Sequence, residues 1–418
     1  MIARRTLLKA SALGGACALG GCHADPVPPG RTGVSLWFSY GGKNREVLED
    51  LVRRFNRTQS RDYVQATYQG DYYEGLAKLR TAIAAGAAPA LSHVVGEVVP
   101  YLAQAGVLEP LADYPGIADL GVMPALGQGG SFTAGASHPL VALPFNRSTP
   151  VAYLNGDLFR RAGLAAPRSW SELREVAHAL TVPGQRFGFG CPINWWFWVA
   201  LVGQAGGDVV TTDGQITLGG SAGVEALEFW QELAQARVLK PPPGRDYNAW
   251  EQTNQDFLAG RAAMIWSSTA FLKYLEEHAR FPVLAAALPA GRRRAVPTGG
   301  TFWVVLRAAE SAQKAAAARF LCFMHQTAQA CDWATRTGYI PVTDAAQRAL
   351  VDRGYYATEP NAAVAIEQLS VAQAWPWSVD LFRVQREIVQ PRLESAVVER
   401  KSAGLVLAEA RQLALEPA

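Results

Sequence analysis

The sequence predicts an α/β protein of two lobes with a cleft between them, and three observations carry that expectation. Strand-like and helix-like segments alternate from Val34 to Gly106, the alternation breaks off around Leu143-Pro144-Phe145-Asn146 and restarts, and no repeat period is present to suggest a solenoid or propeller. A chain of 418 residues, 49% of them hydrophobic, has the length for two or three domains and the apolar content for sizeable cores. The same composition excludes disordered, collagen-like and disulfide-scaffold classes.

Taken in order, Val34 to Phe38 alternates like a strand. Val47, Leu48, Leu51, Val52 and Phe55 fall on one face of a helix over Arg45 to Phe55. Tyr63 to Tyr68 reads as a second strand, and Tyr72 to Ala85 as a helix capped by Asp71 and ended by Gly86. Leu91 to Val95 is a third strand, followed by a helix through Tyr101 that stops at Gly106. After the break, Val151 to Leu154 is a strand and Asp157 to Ala162 a helix, and Ser169-Trp170-Ser171-Glu172 has the spacing of a capping box. Trp195 to Trp198 falls between core segments and is expected in a loop. Helices over Ala222 to Gln235 and Trp250 to Leu258 precede a buried strand at Ala262 to Trp266 and a helix at Phe271 to His278. Thr301 to Leu306 is a further strand, and Ser311 to Ala330 one long Ala-rich helix. Such alternation implies mostly parallel sheets, whose ligands sit in the crevice outside the strand ends.

The first 22 residues are expected to be an export signal: a charged start, a short Gly/Ala-rich apolar run, then small residues before Cys22. Arg4-Arg5-Thr6-Leu7-Leu8-Lys9 looks like a twin-arginine signal, and Leu19-Gly20-Gly21-Cys22 resembles a lipobox, with Cys22 as the lipidated residue anchoring the chain to a membrane. An ordinary cleaved signal with an incidental Cys is the alternative. Residues 23–30 form a polar, Pro-rich tether. Of 39 Lys and Arg, Arg4, Arg5 and Lys9 lie in the signal, which has no acid; the rest balances the 36 Asp and Glu. A neutral body has no bulk attraction to nucleic acid, so no nucleic-acid partner is expected.

Cys322 and Cys331, nine residues apart on one expected helix, lie too far apart for a disulfide, so these and Cys191 read as buried thiols. The six His show no metal-ligand spacing, and neither metal nor cofactor is expected. Gly219-Gly220-Ser221-Ala222-Gly223 satisfies the G-x-S-x-G pattern of hydrolases, but Ser221 fits better as the N-cap of the helix that follows. Gly41-Gly42-Lys43 lacks the remaining parts of a phosphate-binding P-loop.

A set of short segments, in order from about Val34 to Val397, carries a resemblance. They include Arg54-Phe55-Asn56, Tyr68-Gln69-Gly70-Asp71-Tyr72, Ala88-Pro89-Ala90, Pro144-Phe145-Asn146-Arg147-Ser148-Thr149-Pro150, Ala263-Met264, Gly299-Gly300, Thr337-Gly338-Tyr339-Ile340-Pro341 and Leu393-Glu394-Ser395. With these the chain resembles the extracytoplasmic solute-binding proteins of ABC importers, and among them the group that binds sn-glycerol 3-phosphate. The resemblance implies a type II periplasmic-binding fold: one lobe of residues 31–145 plus about 300–342, the other of about 146–299 plus about 343–418. It also implies a non-enzymatic, monomeric receptor outside the cytoplasm that closes on a small phosphorylated polyol and presents it to permease subunits. The ligand implied is sn-glycerol 3-phosphate or a glycerophosphodiester such as glycerophosphocholine. An oligosaccharide receptor is the alternative, and a secreted hydrolase using Ser221 the competitor from another class.

By the same resemblance Tyr72, Ser148, Ser268, Gly300, Tyr339 and Arg386 are expected to contact the ligand. Hydroxyls, backbone N–H groups and one Arg suit a small dianion. Ser268 alone reads equally as a plain N-cap, Tyr72 and Tyr339 as half-buried aromatics, and Arg386 as a solvated helix face. Trp195 is aligned with the residue that packs on the glycerol moiety, with a plain core position as its alternative. Where the family has a Glu for the glycerol hydroxyls, ungapped spacing gives Gly96, with Glu97 one step later. Either Glu97 enters the cleft through a local shift or that contact is lost, which would relax selectivity toward larger diesters. Pro391 kinks the helix after Arg386 unless it lies in a first turn.

Overall fold

The computed structural model describes residues 26–128, 139–241, 246–373, 375 and 377–416. The expected export signal and Cys22 therefore lie outside the described residues. Twelve strands are described: β1 Thr32–Phe38, β2 Asp62–Tyr68, β3 Leu91–Val95, β4 Ala142–Pro144, β5 Pro150–Asn155, β6 Phe187–Gly190, β7 Leu239–Lys240, β8 Ala262–Ser268, β9 Val283–Ala286, β10 Val296–Pro297, β11 Thr301–Val305 and β12 Ala372–Gln373.

They make two five-stranded sheets, in the orders β2-β1-β3-β11-β4 and β7-β6-β8-β5-β9, and a small parallel pair, β10 with β12. The two large sheets share one plan. Three strands run parallel, and the fourth is antiparallel to both its neighbours: β11 in the first sheet and β5 in the second. In each sheet that strand follows a crossing of the chain from the other lobe. The protein has the two-lobed type II periplasmic-binding fold, with its cleft between the lobes.

Local sequence explains most elements. The helix Gly42–Thr58 buries the expected stripe Val47, Leu48, Leu51, Val52 and Phe55. The helix Tyr72–Ala84 begins with a full capping box, Asp71 accepting from the Tyr73 and Glu74 amides while Glu74 reaches back. At Trp170–Leu180 only half of the expected box forms: Ser169 accepts from the Glu172 amide, but the Glu172 carboxylate takes the Arg168 N–H at 2.7 Å.

The expected long helix after Ser311 is two helices, Ser311–His325 and Thr327–Thr337, parted at Gln326, whose extended backbone (φ −61°, ψ 147°) stops the first. Cys322 and Cys331 accordingly lie on different helices; both are free thiols, Cys331 buried and Cys322 half-buried. The second helix is fixed against Gly42–Thr58 by Arg54 to Asp332 at 2.8 Å and Arg336 to Asp50 at 2.9 Å. Arg319 grips the buried Asp62 through two 2.7 Å bonds, joining the first to β2. The helix Asp344–Asp352 packs on Thr327–Thr337 through Ala330, Cys331, Ala334, Ala346 and Leu350, and the later helix Pro360–Glu367 packs against β9.

Trp195 to Trp198 is not a loop. Asn194 accepts from the Trp196 amide and starts the helix Trp195–Gln204, every residue of which is buried. Pro391 sits in the first turn of Gln390–Glu399, directly after a π-helical turn at Val384–Val389 that absorbs the change of phase.

Candidate ligand-binding site

The parallel strands of both sheets end toward one cleft, and side chains just past those ends line it. From the first lobe come Asn44, Tyr72, Tyr73, Val95, Glu97 and Tyr339. The second lobe contributes Asn194, Trp196, Trp250, Ser268, Ala270, Phe271 and Gln385, while Ser148, Gly299 and Gly300 lie on the crossing segments between. Counted out to its open mouth, solvent included, the cleft encloses about 870 Å³.

Its floor is made by backbone. Ser148 and Gly299 exchange N–H to carbonyl bonds of 3.2 and 2.8 Å, and Ile340 N–H donates to the Arg147 carbonyl at 2.9 Å, so three crossing segments run side by side under the cleft. Two glycines make this possible. A Cβ on Gly299 would stand 2.6 Å from the Trp196 indole, and one on Gly300 (φ +96°) would stand 1.8 Å from the Asn146 carbonyl oxygen. The Trp196 indole N–H donates to the Thr298 carbonyl at 3.2 Å, holding that ring against the floor.

Two phenols meet over this floor. The Tyr72 and Tyr339 oxygens are 3.4 Å apart, and the Asn146 amide donates to them at 3.1 and 3.3 Å. Tyr339 is seated on an aromatic pile, stacked on Trp333 at 9°, with Trp333 in turn stacked on Phe145. Burial, then the neighbouring Tyr339, pushes the Tyr72 phenol well above its usual value, so it stays protonated. Ser268 caps the turn that follows β8, its oxygen accepting from the Ala270 amide at 3.2 Å. The cap and a place in the cleft are therefore both true of this residue, since a hydroxyl that accepts still has a hydrogen to give.

Glu97 is 9% exposed, and burial raises its carboxyl above the usual range against the pull of its own backbone hydrogen bond and of Arg147. It reaches the cleft through a short 3-10 turn, Gly96–Val98, whereas Gly96 packs on the Phe302 ring. Arg147 is fully buried beneath, its guanidinium over Phe302 at 4.5 Å and bonded to Thr298 Oγ1 at 2.8 Å. Its Nε and Nη1 have no hydrogen-bond partner among the described residues, and burial brings its pKa down to about 10.

The structure thus gathers Tyr72, Glu97, Ser148, Ser268, Gly300 and Tyr339 in one cleft. Trp195 is not among the lining residues. It is fully buried against Trp198 and Trp375, its backbone N–H held by Gln390 at 2.8 Å, and its neighbour Trp196 faces the cleft instead. Arg386 sits on the π-helical turn beside Gln385, with its guanidinium 3.9 Å over the Tyr73 ring. Tyr73 and the aromatic wall of Trp196, Trp250 and Phe271 escaped the sequence reading. A helical phase begun at Asn194 would have pointed to Trp196.

Ser221 is the first residue of Ser221–Gln235, with Gly220 rather than Ser221 at the cap. The His325 nitrogens lie 2.8 and 2.9 Å from the Leu321 and Pro144 carbonyls, and His278 Nδ1 lies 2.8 Å from the Tyr274 carbonyl. Both imidazoles are committed to backbone. Among the described residues no cluster of His, Cys, Asp and Glu is placed to hold a metal ion, and no helix is long and apolar enough to cross a membrane.

Two lobes around a ligand cleft define a solute receptor, and the chain belongs to the bacterial extracellular solute-binding protein family, whose sequence profile matches residues 50–363. It is the substrate-binding component of an ABC importer, working outside the cytoplasm with permease subunits, and not an enzyme. Among characterised relatives it is similar to the sn-glycerol-3-phosphate-binding periplasmic protein UgpB of Pectobacterium atrosepticum, 25% identical over 398 residues, covering 89% of this chain and 88% of that one. UgpB of Salmonella typhimurium is 24% identical over 401 residues, 89% of each chain. Among solved structures, UgpB from Mycobacterium tuberculosis in complex with glycerophosphocholine superposes with a TM-score of 0.79 at 24% identity, over 91% of this chain and 97% of that one. The GacH receptor of Streptomyces glaucescens, solved unliganded and with acarbose, gives a TM-score of 0.82 at 18% identity, again over 91% and 97%.

Proposed function

We propose that the cleft binds a glycerophosphodiester of the glycerophosphocholine type, or sn-glycerol 3-phosphate, and that the lobes close over it to form the species the permease recognises. The observation that carries this reading is that two chemistries share the cleft. Its lining holds the hydroxyls of Tyr72, Ser148, Ser268 and Tyr339 and the Gly299-Gly300 backbone, together with the rings of Tyr73, Trp196, Trp250 and Phe271 and the carboxyl of Glu97. Convergent O–H and N–H donors suit a phosphate without a strong net field, and aromatic faces with a carboxylate suit a quaternary ammonium. Arg386 is assigned to the phosphate, brought to it from the Tyr73 ring as the lobes close. Closure follows from contacts made by both lobes, which stabilise the closed state by the difference in ligand affinity between the two states. The relatives named for glycerol 3-phosphate, and the structural neighbour holding glycerophosphocholine, agree with this assignment.

Titration calorimetry with glycerophosphocholine, sn-glycerol 3-phosphate and maltose tests it. Both phosphoesters should bind, and Arg386→Ala should weaken them by about tenfold or more, the size of one hydrogen bond to a charged group. A second reading, a neutral oligosaccharide receptor, is favoured by the aromatic wall and by neighbours solved with acarbose or maltose. Maltose binding without either phosphoester would select it. We also infer that Cys22 carries the lipid anchor; Cys22→Ala should release the protein from the membrane fraction.

A further inference from the structure

One wall of the cleft rests on a chain of hydrogen bonds whose direction is forced at every step. The Ser39 backbone N–H donates to His93 Nε2 at 2.8 Å, so that nitrogen carries no hydrogen and the neutral ring must carry it on Nδ1. Nδ1 lies 3.4 Å from Thr301 Oγ1, which therefore receives and passes its own hydrogen to Asn146 Oδ1. The Thr301 backbone N–H donates to the same Oδ1 at 2.7 Å, so the Asn146 amide has one possible orientation. Its NH2 group, which has hydrogens and no acceptor capacity, faces the two phenol oxygens. His93, Asn146 and Thr301 are all buried, so no bulk water competes along the chain. Burial also holds the His93 imidazole down at about 3, which keeps it neutral.

The consequence falls on Tyr72 and Tyr339. Each phenol oxygen receives a hydrogen from Asn146, so each phenol's own hydrogen is given rather than received. At 3.4 Å the two oxygens are at the limit of a direct bond, so one hydrogen can close the resting pair and both can turn to a ligand. Resting on the phosphoester reading of the cleft, we propose that Asn146, oriented by Thr301 and His93, is a positioning residue that sets Tyr72 and Tyr339 as hydrogen donors to the ligand. The cleft thereby selects a group with lone pairs and no hydrogens, such as the non-bridging oxygens of a phosphate. A sugar hydroxyl, which can donate or accept, gains much less from the arrangement.

The test is a double-mutant cycle read by calorimetry with glycerophosphocholine. Asn146→Ala in the otherwise native protein should lower affinity by about tenfold. In a Tyr72→Phe/Tyr339→Phe background the same substitution should cost less than about twofold, because there is no phenol hydrogen left to direct. A merely structural amide would lower affinity by the same factor in both backgrounds, and that result overturns the proposal. If Asn146→Ala lowers the melting temperature too far to measure binding, Thr301→Val takes its place. It keeps the backbone N–H on Asn146 and should show the same coupling at about threefold. A native protein that binds neither phosphoester fails the reading of the cleft, and the device with it. Phosphoester binding with uncoupled losses keeps that reading and rejects the device alone.

Discussion

His93 makes the interior sensitive to acid. Its imidazole is neutral in the fold and held at about 3, against an ordinary value of 6.5. The stability due to this depressed pKa is present above 6.5 and lost as pH falls from there toward 3, by roughly 1.4 kcal/mol per pH unit while one proton is being taken up. Denaturant unfolding of the native protein and His93→Gln across that window should show the variant losing one proton's worth of slope. At Gly300, Ala meets both a positive φ and the Asn146 carbonyl, so Gly300→Ala should cost about 2–4 kcal/mol in the same unfolding measurement. Residues of this kind were unevenly legible in the sequence. Ser148, Tyr72 and Tyr339 stood out because each sits in a short segment of recognisable composition. Asn146 lies in the same segment as Ser148, but its role, like those of His93 and Thr301, gave no signal, because it lies in bonds between strands far apart in the chain.

The helix Trp195–Gln204 separates two tasks between adjacent side chains. Trp195 points into the second lobe's core and Trp196 into the cleft. Trp195→Ala should cost about 3–5 kcal/mol of stability, as for other large aromatic deletions in cores. Trp196→Ala should instead lower ligand affinity about tenfold, with a smaller effect on unfolding. The pair of measurements checks the assignment, and equal effects would contradict it. Elements with one apolar stripe, such as Gly42–Thr58, were readable from periodicity alone. This helix was not, since a segment apolar all round has no face to reveal its phase. The break at Gln326 was equally silent: no Pro or Gly marks it, and the two helices are set by what they pack against, Asp62 for one and Asp50 for the other. The π-helical turn was hidden for a related reason, since only Pro391 hinted that the preceding helix could not run on unchanged.

Across the whole molecule, ligand contacts drawn from both lobes and from the crossing segments couple binding to lobe position. At one hundred times its dissociation constant, a bound phosphoester should raise stability by about 2.7 kcal/mol, and X-ray scattering should show a smaller radius of gyration. Stabilisation with unchanged scattering would mean that the lobes do not close. The two-lobed plan was legible because the strand and helix alternation restarts after Phe145; the strand β11 that the first sheet borrows after the return crossing was not, since pairing order leaves no periodicity behind. That borrowed strand has a consequence for how the chain assembles during synthesis. All five strands of the second sheet lie between Pro150 and Ala286, so the ribosome releases them as one continuous block. The first sheet has four strands finished by Pro144 but cannot join β3 to β4 until β11, at Thr301–Val305, has emerged. The lobe made first is therefore completed last, held open while its neighbour folds, and a fragment ending near Asn146 has a gap in its sheet where β11 belongs.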